Sequence, residues 1–242
     1  MSTSPGGLRE IEWTGRTGPF ALLLSPTVFP PTHTSRTVAE ALDIQPGATV
    51  LDVGCGCGVL GIVAARLGSS RVVGCDASPE AVVAATRNAE RLGLGDRMEF
   101  RHGNLLEPVQ DLSADVVIGD VSGIPDGLAE VAGWFPDGRS GGPTGAELPV
   151  AMLEQVGDVL ADGGVMYLPT GSIQAEDRVL DAARKTFGET NMERLIEREF
   201  PLPDLVAKSK AVARLVTQGI LRLRQRGSRL LWRLSVWRCV RR

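Results

Sequence analysis

Short apolar runs alternate along the chain with stretches of helical period. Val50, Leu51 and Val53 form a run that suits a strand covered on both faces. Runs at Arg71–Cys75, Met98–Arg101, Asp115–Gly119 and Val165–Leu168 predict four more strands. Between them, apolar residues recur at helical spacing after the glycines that follow Val53 as far as Leu67, then over Pro79–Leu92, Val150–Leu160 and Ile173–Phe187. Strands alternating with helices predict an α/β fold with a doubly wound, mostly parallel sheet. Ahead of it, residues 9 to 29 are poorly periodic apart from Phe20–Leu24, a candidate short strand. Arg36–Leu42 reads as a helix, with Thr34 or Ser35 as its cap. Past it, Met192–Phe200 alternates like a strand, and Leu205, Ala207, Val212, Leu215 and Val216 share a helical face.

The last stretch is arginine-rich. Leu221, Leu223 and Gln225 alternate with Arg222, Arg224 and Arg226, Gly227-Ser228 is a turn signal, and Leu230–Val240 is dense in strand formers. This predicts an antiparallel hairpin over 219–240 in preference to an interfacial basic helix or a nucleic-acid-binding arm, with arginines guarding the edge. The charge is lopsided. From Leu205 onward there are eleven Lys or Arg and no acid, so the remainder carries fifteen basic against 29 acidic residues.

The candidate chemistry sits where the first strand meets its helix. Gly54, Gly56 and Gly58 let a ligand approach the backbone, and the helix after them turns its free N–H groups and positive dipole end toward the turn. Gly56, Gly58 and Gly61, with Asp76 about 20 residues on, also spell a dinucleotide fingerprint. Asp52, two residues before the first glycine, argues for a cationic ligand instead of a pyrophosphate. Asp76 ends the second strand, where its two carboxylate oxygens can take both hydroxyls of a ribose or cap the helix that Ser78-Pro79-Glu80 begins. Asn104 is either a base-edge partner or a turn residue. From Gly119 to Pro149 the chain is rich in glycine and proline, a long punctuated segment leaving the carboxyl end of a strand, as pocket walls and lids do.

The 242 residues fit one α/β domain, taken as 29–242, with an N-terminal extension over 1–28. Met1–Gly7 reads as a loose terminus without a targeting pattern, and no apolar run is long enough for a membrane span. Cys55, Cys57, Cys75 and Cys239 show no pairing pattern, and two histidines offer no obvious metal set. A cytoplasmic location is the expectation.

The order Asp-x-Gly-x-Gly-x-Gly from Asp52 to Gly58, Asp76, and Gly-Asn-Leu-Leu-Glu-Pro at 103–108 resemble the class I S-adenosylmethionine (SAM) methyltransferases. That resemblance covers roughly residues 28–187. It implies a Rossmann-like sheet and SAM as cofactor, held by Asp52, Gly54, Cys55, Gly56, Gly58, Asp76, Ala77, Asn104, Leu105 and Asp120. Within the superfamily the chain is similar to the release-factor glutamine N-methyltransferases, which carry Asn-Pro-Pro-Tyr after the fourth strand and then Gly-Gly-x-x-Gly. Gly141-Gly142-Pro-Thr-Gly145 matches the second feature, but Asp120, Val121, Ser122 and Gly123 replace the first. An ionised Asp120 accepts hydrogen bonds and donates none, which argues against a planar amide acceptor. The family's helical N-terminal domain for gripping a protein is also not evident. The resulting expectation is a small-molecule N- or O-methyltransferase, with Asp120 and Ser122 catalytic and His33, Thr34 and Thr144 in the acceptor pocket. Nucleic acid is not the expected partner. The alternative is a SAM lyase resembling the azetidine-2-carboxylate synthases, in which SAM's own amine closes a four-membered ring and releases methylthioadenosine.

Overall fold

A computed structural model describes residues 9–135 and 140–242. The expected loose terminus at 1–7 lies outside the described residues. In chain order the elements begin with two short strands, β1 (Arg9–Trp13) and β2 (Phe20–Leu24), and a helix, α1 (His33–Ala41). The alternating core follows as β3 (Thr49–Val53), α2 (Val59–Leu67), β4 (Arg71–Asp76), α3 (Pro79–Arg91), β5 (Met98–His102) and β6 (Ala114–Gly119). Then come α4 (Asp126–Ala132), α5 (Glu147–Gln155), β7 (Leu160–Gly171), α6 (Glu176–Phe187) and β8 (Met192–Pro201). The chain closes with α7 (Asp204–Ala207), α8 (Lys210–Thr217), β9 (Arg224–Arg226) and β10 (Arg229–Val240).

The main sheet runs in the order β5-β4-β3-β6-β7-β10-β8, with β9 on β10. Pairs from β5 to β7 are parallel, and β10 lies antiparallel between β7 and β8. This is the predicted doubly wound sheet with antiparallel C-terminal strands. Helices cover both faces. Val50 of β3 packs with α1 and α2 residues such as Val38 and Ile62, while Leu51 and Val53 pack with Met152, Val179 and Phe187 on the other face. The period of two along β3 therefore puts Asp52 on the α2 face.

Several boundaries differ from expectation. β1 is an additional strand, pairing antiparallel with β2, and Trp13, Phe20, Leu22 and Leu24 enter the main core, so residues 9–24 pack as part of it. Helix α1 starts earlier and is capped by Thr32, whose side chain accepts from Thr34 N–H; neither Thr34 nor Ser35 is the cap. The predicted helix over 150–160 ends at Gln155, and β7 begins at Leu160 because Asp162-Gly163-Gly164 forms a bulge. Gly163 has φ +76°, and its N–H and the Gly164 carbonyl bond to Arg241. The hairpin turn falls at Gly227-Ser228 as predicted, but its first arm is only β9, and β10 pairs mainly with β7 and β8. The segment 119–149 is not all loop: it contains α4, whose Leu128 packs with Val212 and Leu215 in a satellite core.

Candidate active site

The carboxyl ends of the parallel strands open into one cavity of about 450 Å³, within the range for small-molecule sites. The turn after β3 forms its floor. Gly54 and Cys55 both donate their N–H to the Cys75 carbonyl, at 2.9 and 3.0 Å, which clips the turn to β4. Gly54 has φ +75°, and a Cβ there would lie 3.1 Å from the Asp120 carbonyl oxygen, so the absence of a side chain lets the end of β6 close against the turn. Gly56 has φ +53°, and a Cβ there would meet only Val28, at 4.0 Å; it would project into the cavity. That open cradle over a helix N-terminus suits a ligand lying on the backbone.

Asp76 ends β4 with each carboxylate oxygen accepting one backbone N–H: Gly56 at 2.9 Å and Ser78 at 2.8 Å. The helix-cap function of this stretch falls to Ser78, whose side chain accepts from Ala81 N–H. The carboxylate is thereby fixed facing the cavity, and its remaining lone pairs are available to two hydroxyls. Ala77, Asn104 and Leu105 continue that wall. Leu105 holds a left-handed φ of +47°, a strained conformation for a branched side chain.

Asp120 lies just past β6 on the cavity wall, with Ser35 Oγ at 3.4 Å from its Oδ2. Burial pushes its carboxyl up to about 6, partly offset by that hydroxyl, so it is mostly ionised at neutral pH. Ser122, His33 and Thr34 also line the cavity, and the His33 ring stacks on Phe200 at 4.6 Å.

Three predicted site residues are placed elsewhere. Asp52 is fully buried behind the turn, where Oδ2 accepts from Gly61 N–H at 2.8 Å and Oδ1 has no partner among the described residues. Burial pushes it up to about 7 despite the Gly61 bond. Its place on the α2 face of β3 keeps it off the cavity wall. Gly58 is the left-handed N-cap of α2, and a Cβ there would press on Ala85 at 3.0 Å and Phe100 at 3.1 Å; it serves packing. Thr144 lies just ahead of α5: its Oγ1 donates to Glu147 Oε1 at 2.8 Å, and it too is absent from the cavity lining. Among the turn's cysteines, burial pushes the Cys57 and Cys75 thiols up to about 12, so they stay protonated.

The far arm of the cavity, beyond Asp120, was not legible in the motifs. β7, β8 and β10 supply Pro169, Pro201, Trp232 and Leu234, with Ile173 and Gln174 from the loop after β7 and Leu202 from the loop after β8. Also in the lining, Phe29 stacks on Phe135 at 4.8 Å and meets Trp134 edge-on at 5.7 Å. The glycine-rich stretch supports this arm: Gly141 N–H donates to the Ile124 carbonyl at 2.7 Å, and a Cβ at Gly141 would lie 2.6 Å from the Ser122 carbonyl oxygen. Residues 136–139 of the expected lid lie outside the described residues.

A glycine turn on a doubly wound sheet, facing a carboxylate-lined cavity at the strand ends, defines a nucleoside-binding α/β enzyme. The family model described as "Methyltransferase domain" matches residues 44–222, and the chain belongs to that family. It is 39% identical over 114 residues to the ribosomal protein L11 methyltransferase of Pelotomaculum thermopropionicum, covering 46% of this chain and 35% of that protein. To the Aeromonas hydrophila protein of the same name it is 43% identical over 93 residues, 38% of this chain and 30% of the other. The chain thus spans about a third of the length of these curated relatives. Its fold is similar to that of a 16S rRNA methyltransferase of T. thermophilus solved with AdoMet and guanosine, at TM-score 0.62 and 16% identity, covering 97% of this chain and 51% of that one. The sequence similarity falls on the L11 methyltransferases rather than on the release-factor glutamine branch that the glycine motif suggested. Among the described residues no helix is long and apolar enough to cross a membrane.

Proposed function

We propose that this methyltransferase acts on a nitrogen or oxygen of a small, largely apolar molecule held in the far arm of the cavity. The carrying observation is the lining of that arm. Leu202, Trp232, Leu234 and Ile173 line the cavity with apolar surface suited to an apolar body, and the Phe29–Phe135–Trp134 group adds aromatic surface. Cofactor binding is assigned to Gly54, Cys55 and Gly56 under the ligand, Asp76 on the ribose hydroxyls, and Ala77, Asn104 and Leu105 around the base. Asp52 acts behind them, fixing the turn through Gly61 N–H.

SAM, when bound, supplies an electrophilic methyl group on a sulfonium. The cavity walls would hold an acceptor's lone pair in line with that methyl group, which would pass to the acceptor with the bonding pair left on sulfur. Alignment can supply about 7–11 kcal/mol of such a barrier. Asp120, mostly ionised at neutral pH, is assigned the acceptor's N–H or O–H: it orients the nucleophile and takes or relays the proton that the acceptor loses. Ser122 and Thr34 line the same place, and His33 stacks at its edge.

The test is mass spectrometry of purified protein with SAM alone, then with methyl-labelled SAM and either a panel of small amines and phenols or ribosomal protein L11. SAM stable alone and label moving to a small molecule support the reading. Label on L11, the acceptor named for the relatives, overturns it. Methylthioadenosine with a new amino acid from SAM alone overturns it in favour of the lyase alternative.

A further inference from the structure

Among the described residues that line the cavity, the charged side chains are two carboxylates, Asp76 and Asp120. They are held differently. Both oxygens of Asp76 accept backbone N–H groups, from Gly56 and Ser78. Asp120 has one donor, the Ser35 hydroxyl at 3.4 Å from Oδ2. Its Oδ1 takes no hydrogen bond among the described residues, yet it is not sealed off, and the residue is partly exposed. A carboxylate in a confined space with a single long donor is poorly compensated, and a cationic donor is the partner that compensates it best.

The rest of the lining has the same preference. Phe29, Trp134, Phe135 and Trp232 present aromatic surface, whose ring faces attract cations. Ser122 and Thr34 add hydroxyl oxygens, which accept as well as donate. The sign of the charge also separates nitrogen from oxygen acceptors. An oxygen nucleophile is activated by losing its proton, and the oxyanion would face the like charge of Asp120. A neutral amine instead gains positive charge as its bond to carbon forms, and a fixed carboxylate stabilises that charge.

We propose that the acceptor is a primary or secondary amine on an apolar body, bound as its ammonium ion by Asp120 and the aromatic lining, and that alcohols, phenols and acids are not substrates. The inference rests on the small-molecule reading and narrows it. The ammonium ion gives one proton through Asp120 to solvent, and the freed lone pair forms the new bond from nitrogen to the methyl carbon. The carbon–sulfur bonding pair stays on sulfur, and nitrogen ends with the positive charge that sulfur held.

The probes are benzylamine, a cation at neutral pH, and benzyl alcohol, its uncharged counterpart of the same shape. Their binding to the full chain saturated with S-adenosylhomocysteine is measured by calorimetry, and binding of S-adenosylhomocysteine itself is measured in parallel. Wild type is expected to prefer benzylamine by about 10–100-fold, the scale of one hydrogen bond to a charged group. Asp120→Asn keeps the size and removes the charge; it loses the preference while keeping S-adenosylhomocysteine affinity within about two-fold. Asp120→Ser gives the same result and replaces the Asn variant if that one does not fold. Equal binding of the two probes by wild type, or a preference that survives in the variants, overturns the assignment and leaves the small-molecule reading standing. Loss of S-adenosylhomocysteine binding in both variants, with folding confirmed by circular dichroism, also overturns it, making Asp120 a partner of the cofactor's own amine. Intact S-adenosylhomocysteine binding with neither probe bound by wild type rejects the small-molecule reading, and the assignment with it.

Discussion

Asp52 carries the motif's charge, but its position assigns it to the fold. It is fully buried with its ionisation pushed up to about 7, against an ordinary carboxylate value of 3.8. A raised carboxyl favours folding in its protonated form, so its contribution is complete below pH 4 and is lost as pH rises through 7. Between pH 5 and pH 8 this one group removes roughly 2–3 kcal/mol of stability. Asp120, pushed up to about 6, adds to the same decline. Asp52→Asn keeps an acceptor for Gly61 N–H and cannot ionise. Urea denaturation at the two pH values is expected to show a flatter response in the variant, by about that amount; equal losses in both proteins would mean that Asp52 does not titrate in the fold. The residue scale also shows the limits of reading motifs. Asp76 and the turn glycines were legible because one strand–turn–helix unit contains most of their geometry. The inward turn of Asp52 depends on which face of β3 meets α2. Gln174 carries no local signal: it joins the cavity lining only because β7 lies beside β6 in the sheet, and Gly123, whose missing side chain leaves it room, is 51 positions away.

At the scale of elements, the N-terminal hairpin is joined to the Rossmann unit by Asn88 on α3. Its Oδ1 accepts from Leu23 N–H at 2.7 Å, and Nδ2 donates to the carbonyls of Leu23 and Cys57, both at 2.9 Å. One buried side chain therefore satisfies β2 and the glycine turn together. Asn88→Ala strands one donor and two acceptors, and a loss of about 3–5 kcal/mol is expected from groups costing about 1–3 kcal/mol each. Because the Cys57 carbonyl belongs to the turn, SAM affinity should fall with stability. Denaturation and calorimetry on the same preparations check both, and an unchanged SAM affinity would detach the hairpin from the site. Elements with a regular period were legible, including β3, α3 and the turn before β10. β1 was not, because its polar–apolar alternation spans only Glu10 to Trp13 and only Trp13 of its five residues is fully buried. The start of β7 was hidden for a different reason: Gly163-Gly164 signals a break by composition, yet the strand absorbs it as a bulge.

For the whole molecule, four of the eleven basic residues at the C-terminal end pair with acids within the chain. The basic end folds back against acids of α6, β7 and β8. Arg222 pairs with Asp177, Arg224 with Glu199, Arg233 with Glu176 at 2.7 Å, and Arg241 with Asp162 at 3.4 Å. The Arg233–Glu176 pair has a buried carboxylate; the other three are exposed and add little stability, typically about 0–1 kcal/mol each. Their larger effect is on what the surface offers a polyanion, since guanidiniums already facing carboxylates release fewer counterions from RNA. An arm neutralising six or more phosphates would lose at least about 10³ in affinity between 50 and 200 mM salt. Here the expected slope of log affinity against log salt is no steeper than about −2, measured by anisotropy of a fluorescein-labelled 20-nucleotide RNA. Replacing Asp177 and Glu199 together by Asn and Gln frees two arginines, so it should steepen that slope by about 2 units. A wild-type slope near −5 would instead mean that the tail is an RNA-binding surface despite its internal partners, and the acceptor would then be sought in RNA.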